Sequence, residues 1–127
     1  MFLSILGIWN YFKVSNLHRP LKVEEISSIN LWGGHFAGNN RGREATQEEV
    51  GDIVDWFNSA SDIRENKDFA GETPDSGIVI NEKDGEEFSI IRSGRDFEVQ
   101  RHDKSGRTYS YWATQKDIKV LLDKLTQ

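Results

Sequence analysis

The segment that decides the fold is GIVINEKDGEEFSIIRSGRDFEVQRHDKSGRTYSYWA, residues 77–113. Apolar and polar residues alternate in four short runs, at residues 77–81, 86–92, 95–101 and 107–113. The turn sequences EKDG, SG and HDKSG separate these runs. Period-two alternation is typical of a strand with one buried face, and glycine turns at this spacing are typical of hairpins. The segment therefore predicts a meander of four antiparallel strands.

One strand and two helices are predicted around the meander. Residues 22–32, KVEEISSINLW, have the β-branched content of a strand. In residues 45–61, Thr46 and Glu49 form a capping box ahead of an apolar helical stripe. Residues 114–125 carry a second stripe, formed by Ile118, Leu121, Leu122 and Leu125. The order β-α-β-β-β-β-α predicts an α+β fold with an antiparallel sheet of four to five strands, packed on one face by two helices.

Length and charge limit the class of protein. The chain has 127 residues, which fits one domain, and we assign that domain to residues 22–127. Cysteine is absent, which excludes disulfides, thiolate metal sites and thiol nucleophiles. The net charge is −5, and residues 44–87 hold fourteen acidic and three basic residues. This acidity argues against nucleic acid as the partner. Residues 61–77 are polar and predict a linker.

Residues 1–21 form an apolar N-terminal segment that begins MFLSILGIWNYFKV. The apolar run is shorter than the roughly 20 residues that cross a bilayer, and it lacks the features of a secretion signal. Three interpretations stay open: a helix that packs on the domain, an interfacial segment that associates residues 1–14 with a membrane, or the remnant of an export anchor. We therefore favour a membrane-associated or extracytoplasmic location over a cytoplasmic one.

The stretch GGHFAGNN, residues 33–40, has the glycine spacing of a phosphate-binding loop. That motif needs Lys and then Ser or Thr after its second glycine, whereas Asn39 and Asn40 stand there. The motif also leads directly into a helix, and here the cap comes later, at Thr46. These departures argue against nucleotide binding.

The same stretch predicts a recognition loop instead. Glycines let a backbone approach a ligand closely, and loops commonly carry function. We predict that the loop presents its aromatic and basic residues to a partner, namely Trp32, His35, Arg41 and Arg43. The alternative is that Trp32 and Phe36 fold back onto the core, because aromatic residues are mostly buried.

One set of residues could support catalysis. Glu98 as base, His102 as acid and Arg101 as phosphate clamp would suit RNA cleavage. On a strand, Glu98 and His102 would share a face but lie about 13 Å apart at ~3.3 Å per residue. A charged outer strand face is therefore the favoured interpretation. The histidines lack metal-pair spacing and no serine sits in a nucleophile elbow, so we expect no catalytic residue, metal or cofactor.

The chain resembles a small uncharacterised domain of Gram-positive bacteria. The resemblance covers residues 22–125. Its first half consists of a strand, a helix that begins at Thr46 and ends near FNSA, and a proline-containing linker. Its second half consists of the pattern I-x-I-x-x-x-D-G from Ile78, an aromatic meander and a C-terminal leucine helix. That domain often follows a lipoprotein signal or a signal anchor. The resemblance implies the fold and a cell-surface location, but no activity and no site residues. This chain departs from the lipoprotein pattern because it has no cysteine to lipidate.

Together these features favour a non-catalytic binding domain at the bacterial cell envelope, whose partner is another protein or a surface component. Two alternatives stay open. The first is a small ribonuclease-like enzyme that uses Glu98, Arg101 and His102. The second is an inhibitor or immunity protein of phage or plasmid type, acting through acidic residues 44–87.

Overall fold

The computed structural model describes residues 17–34, 42–66, 74–93 and 96–126. After a 3₁₀ turn at Val23–Glu25, the described chain contains seven strands and two helices. The strands are β1 (Ile26–Gly33), β2 (Arg43–Glu44), β3 (Ser61–Glu65), β4 (Ser76–Glu82), β5 (Glu87–Ser93), β6 (Asp96–His102) and β7 (Thr108–Thr114). The helices are α1 (Gln47–Asn58), between β2 and β3, and α2 (Lys116–Leu125), after β7.

All seven strands belong to one antiparallel sheet with the order β2-β1-β4-β5-β6-β7-β3. The strands β4 to β7 are neighbours in sequence and in space, which confirms the predicted meander. The predicted α+β class and the antiparallel sheet are likewise confirmed.

The predicted number of strands, four to five, was too low. The first missed strand, β2, has only two residues, which pair with Asn30 and Leu31. The second, β3, lies in the predicted linker and pairs with β7. Its register is irregular between Ser61 and Arg64, and Asp62 has a positive φ of 53°. Short polar edge strands of this kind lack the apolar alternation by which strands are recognised.

The first strand begins later than predicted. Residues 23–25 form the 3₁₀ turn, and Val23 is 44% exposed there. The register also shifts between Ile26 and Ser28. The buried side chains of β1 are therefore Ile26, Ile29 and Leu31, while Ser27 is exposed.

The sheet has a core face and an outer face. Opposite positions on neighbouring strands place the buried apolar residues of β1 and β4–β7 on one side, the core face. Buried residues of both helices join the same core: Ile53, Val54, Phe57, Ile118, Leu122 and Leu125. The predicted packing of two helices on one face is thus confirmed. We call the opposite side the outer face.

The predicted capping box of α1 is present. The Thr46 hydroxyl accepts a hydrogen bond from the Glu49 backbone N–H at 3.2 Å, and the Glu49 carboxylate accepts one from the Thr46 N–H at 2.9 Å. For α2 the cap is Gln115, because its side-chain oxygen accepts from the Ile118 N–H at 2.8 Å. The N-cap of α2 is therefore Gln115, one residue after Thr114, where the sequence predicts that the helix begins.

His18 joins the start of the described chain to the core. Its Nε2 lies 2.9 Å from the Phe57 carbonyl oxygen and its Nδ1 lies 2.8 Å from the Tyr111 hydroxyl. A carbonyl only accepts, so Nε2 carries the hydrogen, and in the neutral ring Nδ1 accepts from Tyr111. Burial lowers the pKa of His18, against the opposing effect of the Phe57 bond, and burial raises the pKa of the Tyr111 hydroxyl.

Candidate functional site

One row of side chains crosses the outer face from β1 to β3. Each member lies directly opposite the next on the neighbouring strand, so all project from the same face. In order across the sheet, this outer row consists of Trp32, Gly77, Ile91, Glu98, Trp112 and Arg64. Trp32, Ile91 and Trp112 are half-buried. Gly77 and Glu98 are buried, and Arg64 is exposed.

The indole of Trp32 lies against the backbone of Gly77. A Cβ at residue 77 would stand 2.6 Å from Nε1, Cε2 and Cζ2 of Trp32. Carbon atoms do not approach so closely, so the space beside Gly77 belongs to the indole. An aromatic ring over a glycine on the next strand shields the exposed backbone and fixes the ring. One side of the ring is therefore held by the sheet, and the half-buried remainder reaches solvent.

Glu98 is a buried carboxylate at the centre of the outer row, with 4% of the residue exposed. Its Oε2 accepts hydrogen bonds from the Ser110 hydroxyl, from Asn66 Nδ2 at 3.2 Å and from Gln100 Nε2 at 3.3 Å. Buried carboxylates need such donors to offset lost hydration. The three donors come from different strands or strand ends, so Glu98 fixes their positions relative to one another.

The far end of the row is held by an ion pair. Arg64 on β3 bonds to Asp96 on β6, and its guanidinium lies 6.0 Å from the centroid of the Trp112 ring. The Thr114 hydroxyl also donates to Asp96 at 2.9 Å. Burial by itself raises the pKa of Asp96. The hydrogen bonds from Thr114 and Arg64 outweigh this effect, so the pKa lies below its usual value. The guanidinium covers part of Trp112, so the two indoles of the row have different surroundings.

A second row of side chains runs beside the outer row, and its members on β1 and β4–β7 are uncharged, while Glu44 on β2 lies opposite Asn30 at one end. Its members again lie opposite one another on successive strands: Asn30, Val79, Ser89, Gln100 and Ser110. Amides and hydroxyls both donate and accept hydrogen bonds. We call this set the polar row. It places neutral hydrogen-bonding groups next to the Trp32 indole.

The charge of the outer face is mainly negative. The acidic residues that project from it are Glu44, Glu87, Asp96 and Glu98, and the cation that the described strands place there is Arg64. Arg64 is already paired with Asp96. The face therefore suits neutral or cationic ligands better than phosphates or other anions.

The predicted partner-binding residues do not gather on one face in the part of the chain that is described. Trp32 lies on the outer face, in β1 rather than in a loop. Arg43 lies opposite Leu31, on the core side, and its guanidinium binds both oxygens of Glu49 at 2.7 Å. That bond is the main reason why the pKa of Glu49 falls to about 2. His35 and Arg41 lie outside the described residues.

The residues of the ribonuclease-like alternative are divided between the two faces. Glu98 and His102 project from the outer face, where His102 bonds to the Thr108 hydroxyl at 3.0 Å. Arg101 projects from the core face, 3.5 Å from Glu86 and 4.6 Å from the centroid of the Tyr109 ring. The sheet itself separates Arg101 from the other two, so the three do not meet at one phosphate.

A group of carboxylates that the sequence analysis did not single out lies at the β4–β5 turn. Oxygens of Glu82, Asp84 and Glu86 lie within 4.8 Å of one another. Burial, and then the charges of Asp84 and Glu86, raise the pKa of Glu82. Arg19 lies 3.6 Å from Glu86 and offsets part of this charge. Carboxylate oxygens are ligands of hard cations, but the neighbouring guanidinium competes for the same role.

The acidic segment assigned to the inhibitor alternative includes the exposed side of α1. Glu48, Asp52 and Asp55 are exposed and follow one another at i, i+4 and i+7. Within the described ranges they form no ion pair, whereas Glu49 is paired with Arg43. Like charges at this spacing repel. The inhibitor interpretation remains a prediction.

Comparison with protein-family models, with curated proteins and with solved structures gives no match. Among the described helices, neither is long and apolar enough to cross a membrane.

Proposed function

We propose that this protein is a non-catalytic binding domain of the bacterial cell envelope, which recognises a protein or a surface component through its outer face. The proposal rests on the composition and exposure of the outer row. The two described helices cover the core face, while the outer face offers half-buried Trp32 and Trp112, with Arg64 beside Trp112. Trp and Arg are the residue types that contribute most to binding energy at interfaces.

The arrangement of polar groups supports binding rather than catalysis. A general acid and base must both reach the reacting atoms. Here Glu98 is held by three donors, and Arg101 lies on the other face with Glu86 and Tyr109. These groups are placed to hold the sheet in shape. The location at the envelope rests on the apolar segment of residues 1–21 and on the resemblance to the Gram-positive domain.

The experiment is capture from fractionated envelopes of Gram-positive cells by the immobilised protein, with the captured component identified chemically. Trp32→Ala and Trp112→Ala should each reduce capture at least fivefold, because they remove the aromatic contacts of the outer row. Val120→Ala is the matched control, because Val120 is 51% exposed on α2, away from the outer face. Capture that both tryptophan variants retain in full would overturn the assignment of the outer face.

The location and the rival activity are tested separately. Fractionation of expressing cells should recover the protein with the envelope, and recovery wholly in the cytosol would contradict that part of the proposal. Incubation with labelled RNA should leave the RNA intact. Cleavage that disappears in His102→Ala would replace binding by the ribonuclease-like function.

A further inference from the structure

We infer that the ligand of the outer face is an uncharged polysaccharide, an inference that rests on the proposed use of this face for binding. Three features support it: the Trp32 indole held against Gly77, the neutral polar row beside it, and the negative charge of the surrounding face. Each feature restricts the ligand in a different way.

The Trp32 indole provides a fixed stacking surface. Its contact with Gly77 orients the ring before a ligand arrives, so little side-chain entropy is lost on binding. The face of an aromatic ring is electronegative and attracts polarised C–H groups. A sugar ring has one side lined by C–H groups and a rim of hydroxyls, so it can stack on the indole and hydrogen-bond around it.

The polar row supplies the complementary hydrogen bonds. Asn30, Ser89 and Gln100 are half-buried and uncharged. Gln100 uses its amide nitrogen to bond Glu98, which orients the side chain and leaves its carbonyl oxygen as an acceptor. Ligand sites generally combine an aromatic surface with a few oriented polar groups. Hydroxyl groups, which donate and accept, match such a mixed row.

The charge of the face excludes anionic polymers. Glu44 and Glu87 project from it, and the Arg64 guanidinium is paired with Asp96. Nucleic acids and other polyanions are bound through cations that neutralise them, and the described residues of this face offer no unpaired cation. An extended peptide would more readily add to a sheet edge than lie across a sheet face.

The shape of the site suits a chain rather than a single sugar. From Trp32 on β1 to Trp112 on β7 the outer row crosses four strand spacings, roughly 19 Å at ~4.8 Å each. A linear oligosaccharide of several rings can span this distance.

The inference is tested by isothermal titration calorimetry with two neutral probes, chitohexaose and cellohexaose, and one anionic comparator, a hexasaccharide of hyaluronan. We expect at least one neutral probe to bind with a dissociation constant below about 1 mM. The hyaluronan fragment should bind at least tenfold more weakly, because the face is acidic. Failure of both neutral probes to bind would overturn the inference.

The position of the sugar is tested by variants. Trp32→Ala should weaken binding of the neutral probe at least tenfold, Trp32→Phe should restore part of it, and Val120→Ala should leave it unchanged. Ser89→Arg blocks the centre of the polar row without removing a core side chain, so it tests the site even if Trp32→Ala unfolds the protein. Binding that Ser89→Arg leaves unchanged would place the sugar elsewhere and overturn the inference.

The inference and the proposed function can fail separately. If the outer-face variants abolish capture of an envelope protein while neither neutral probe binds, the polysaccharide inference fails and the proposed function stands. If capture persists in the outer-face variants, the proposed function itself fails.

Discussion

Trp32 on β1 occupies the space that a side chain at Gly77 on β4 would need, with three indole atoms 2.6 Å from the position of a Cβ there. The pair links two strands that are separated by more than forty residues in sequence. It also fixes the orientation of the ring that we assign to ligand binding. The stability of the sheet and the function of its outer face therefore depend on the same contact.

Gly77→Ala is expected to destabilise the protein by about 1–3 kcal/mol, the usual cost of overpacking. The added methyl group must displace the indole, so intrinsic tryptophan fluorescence should change as well. Gly51→Ala is the matched control: nothing lies within 4 Å of a Cβ at that helical position, and the change should stabilise α1 by about 0.5–1 kcal/mol. Urea unfolding measures both. Equal effects of the two substitutions would contradict the contact.

His18 should make stability depend on pH near and below neutrality. Burial lowers its pKa from 6.5 in the folded state, so the unfolded chain binds the proton more readily. Its contribution is complete above pH 6.5 and is lost as the pH falls through the lowered folded value. Urea unfolding at pH 7.5 and pH 5.5 should show a larger loss for the wild type than for His18→Gln.

The Tyr111→Phe variant separates this effect from general packing. It removes the hydroxyl that lies 2.8 Å from His18 Nδ1 and keeps the ring in the core. It should cost about 1 kcal/mol, the net value of a typical hydrogen bond. A pH dependence identical in the wild type and His18→Gln would show that other groups cause it.

Glu49 should titrate far below an ordinary glutamate. The Arg43 hydrogen bonds, with help from Thr46, lower its pKa from 4.5 to about 2. Its stabilising contribution is therefore complete above pH 4.5 and is lost as the pH falls towards 2. Carboxyl NMR of the labelled side chain measures this directly. In Arg43→Gln the pKa should rise towards 4.5, and an unchanged value would contradict the assigned cause.

Alternation of apolar residues was enough to predict the meander and the face that the helices cover. It identified the core side chains of β4 and β5, namely Ile78, Ile80, Phe88 and Ile90, because buried positions in a strand repeat every second residue. The same pattern identified those of β6 and β7. It could not find β2 or β3. Those strands are held by backbone pairing at the sheet edges, and Ile63 is their one apolar residue, which is too few to form a pattern.

The candidate site was only partly predictable. Trp32 was singled out for its loop, whereas the structure places it in a strand against Gly77. Trp112 and Gln100 occupy positions between the apolar residues of residues 77–113, so the alternation already predicts that they face away from the core. What the sequence could not supply was the register, because only strand pairing shows that Trp32 and Trp112 belong to one row.

Glu82→Gln should stabilise the protein at neutral pH. Burial, with repulsion from Asp84 and Glu86, raises the pKa of Glu82, so its ionised form is disfavoured in the folded state. The folded state binds this proton more tightly than the unfolded chain, and destabilisation appears as the pH rises through the folded pKa. We expect the free energy of unfolding to rise by about 0.5 kcal/mol at pH 7, the size typical of surface charge interactions, and by less at pH 4.

Glu48→Gln removes the same charge on α1 and controls for net charge. Since the gain comes from removing an ionised carboxylate that burial and its acidic neighbours disfavour, a larger gain at pH 4 than at pH 7 would contradict the prediction.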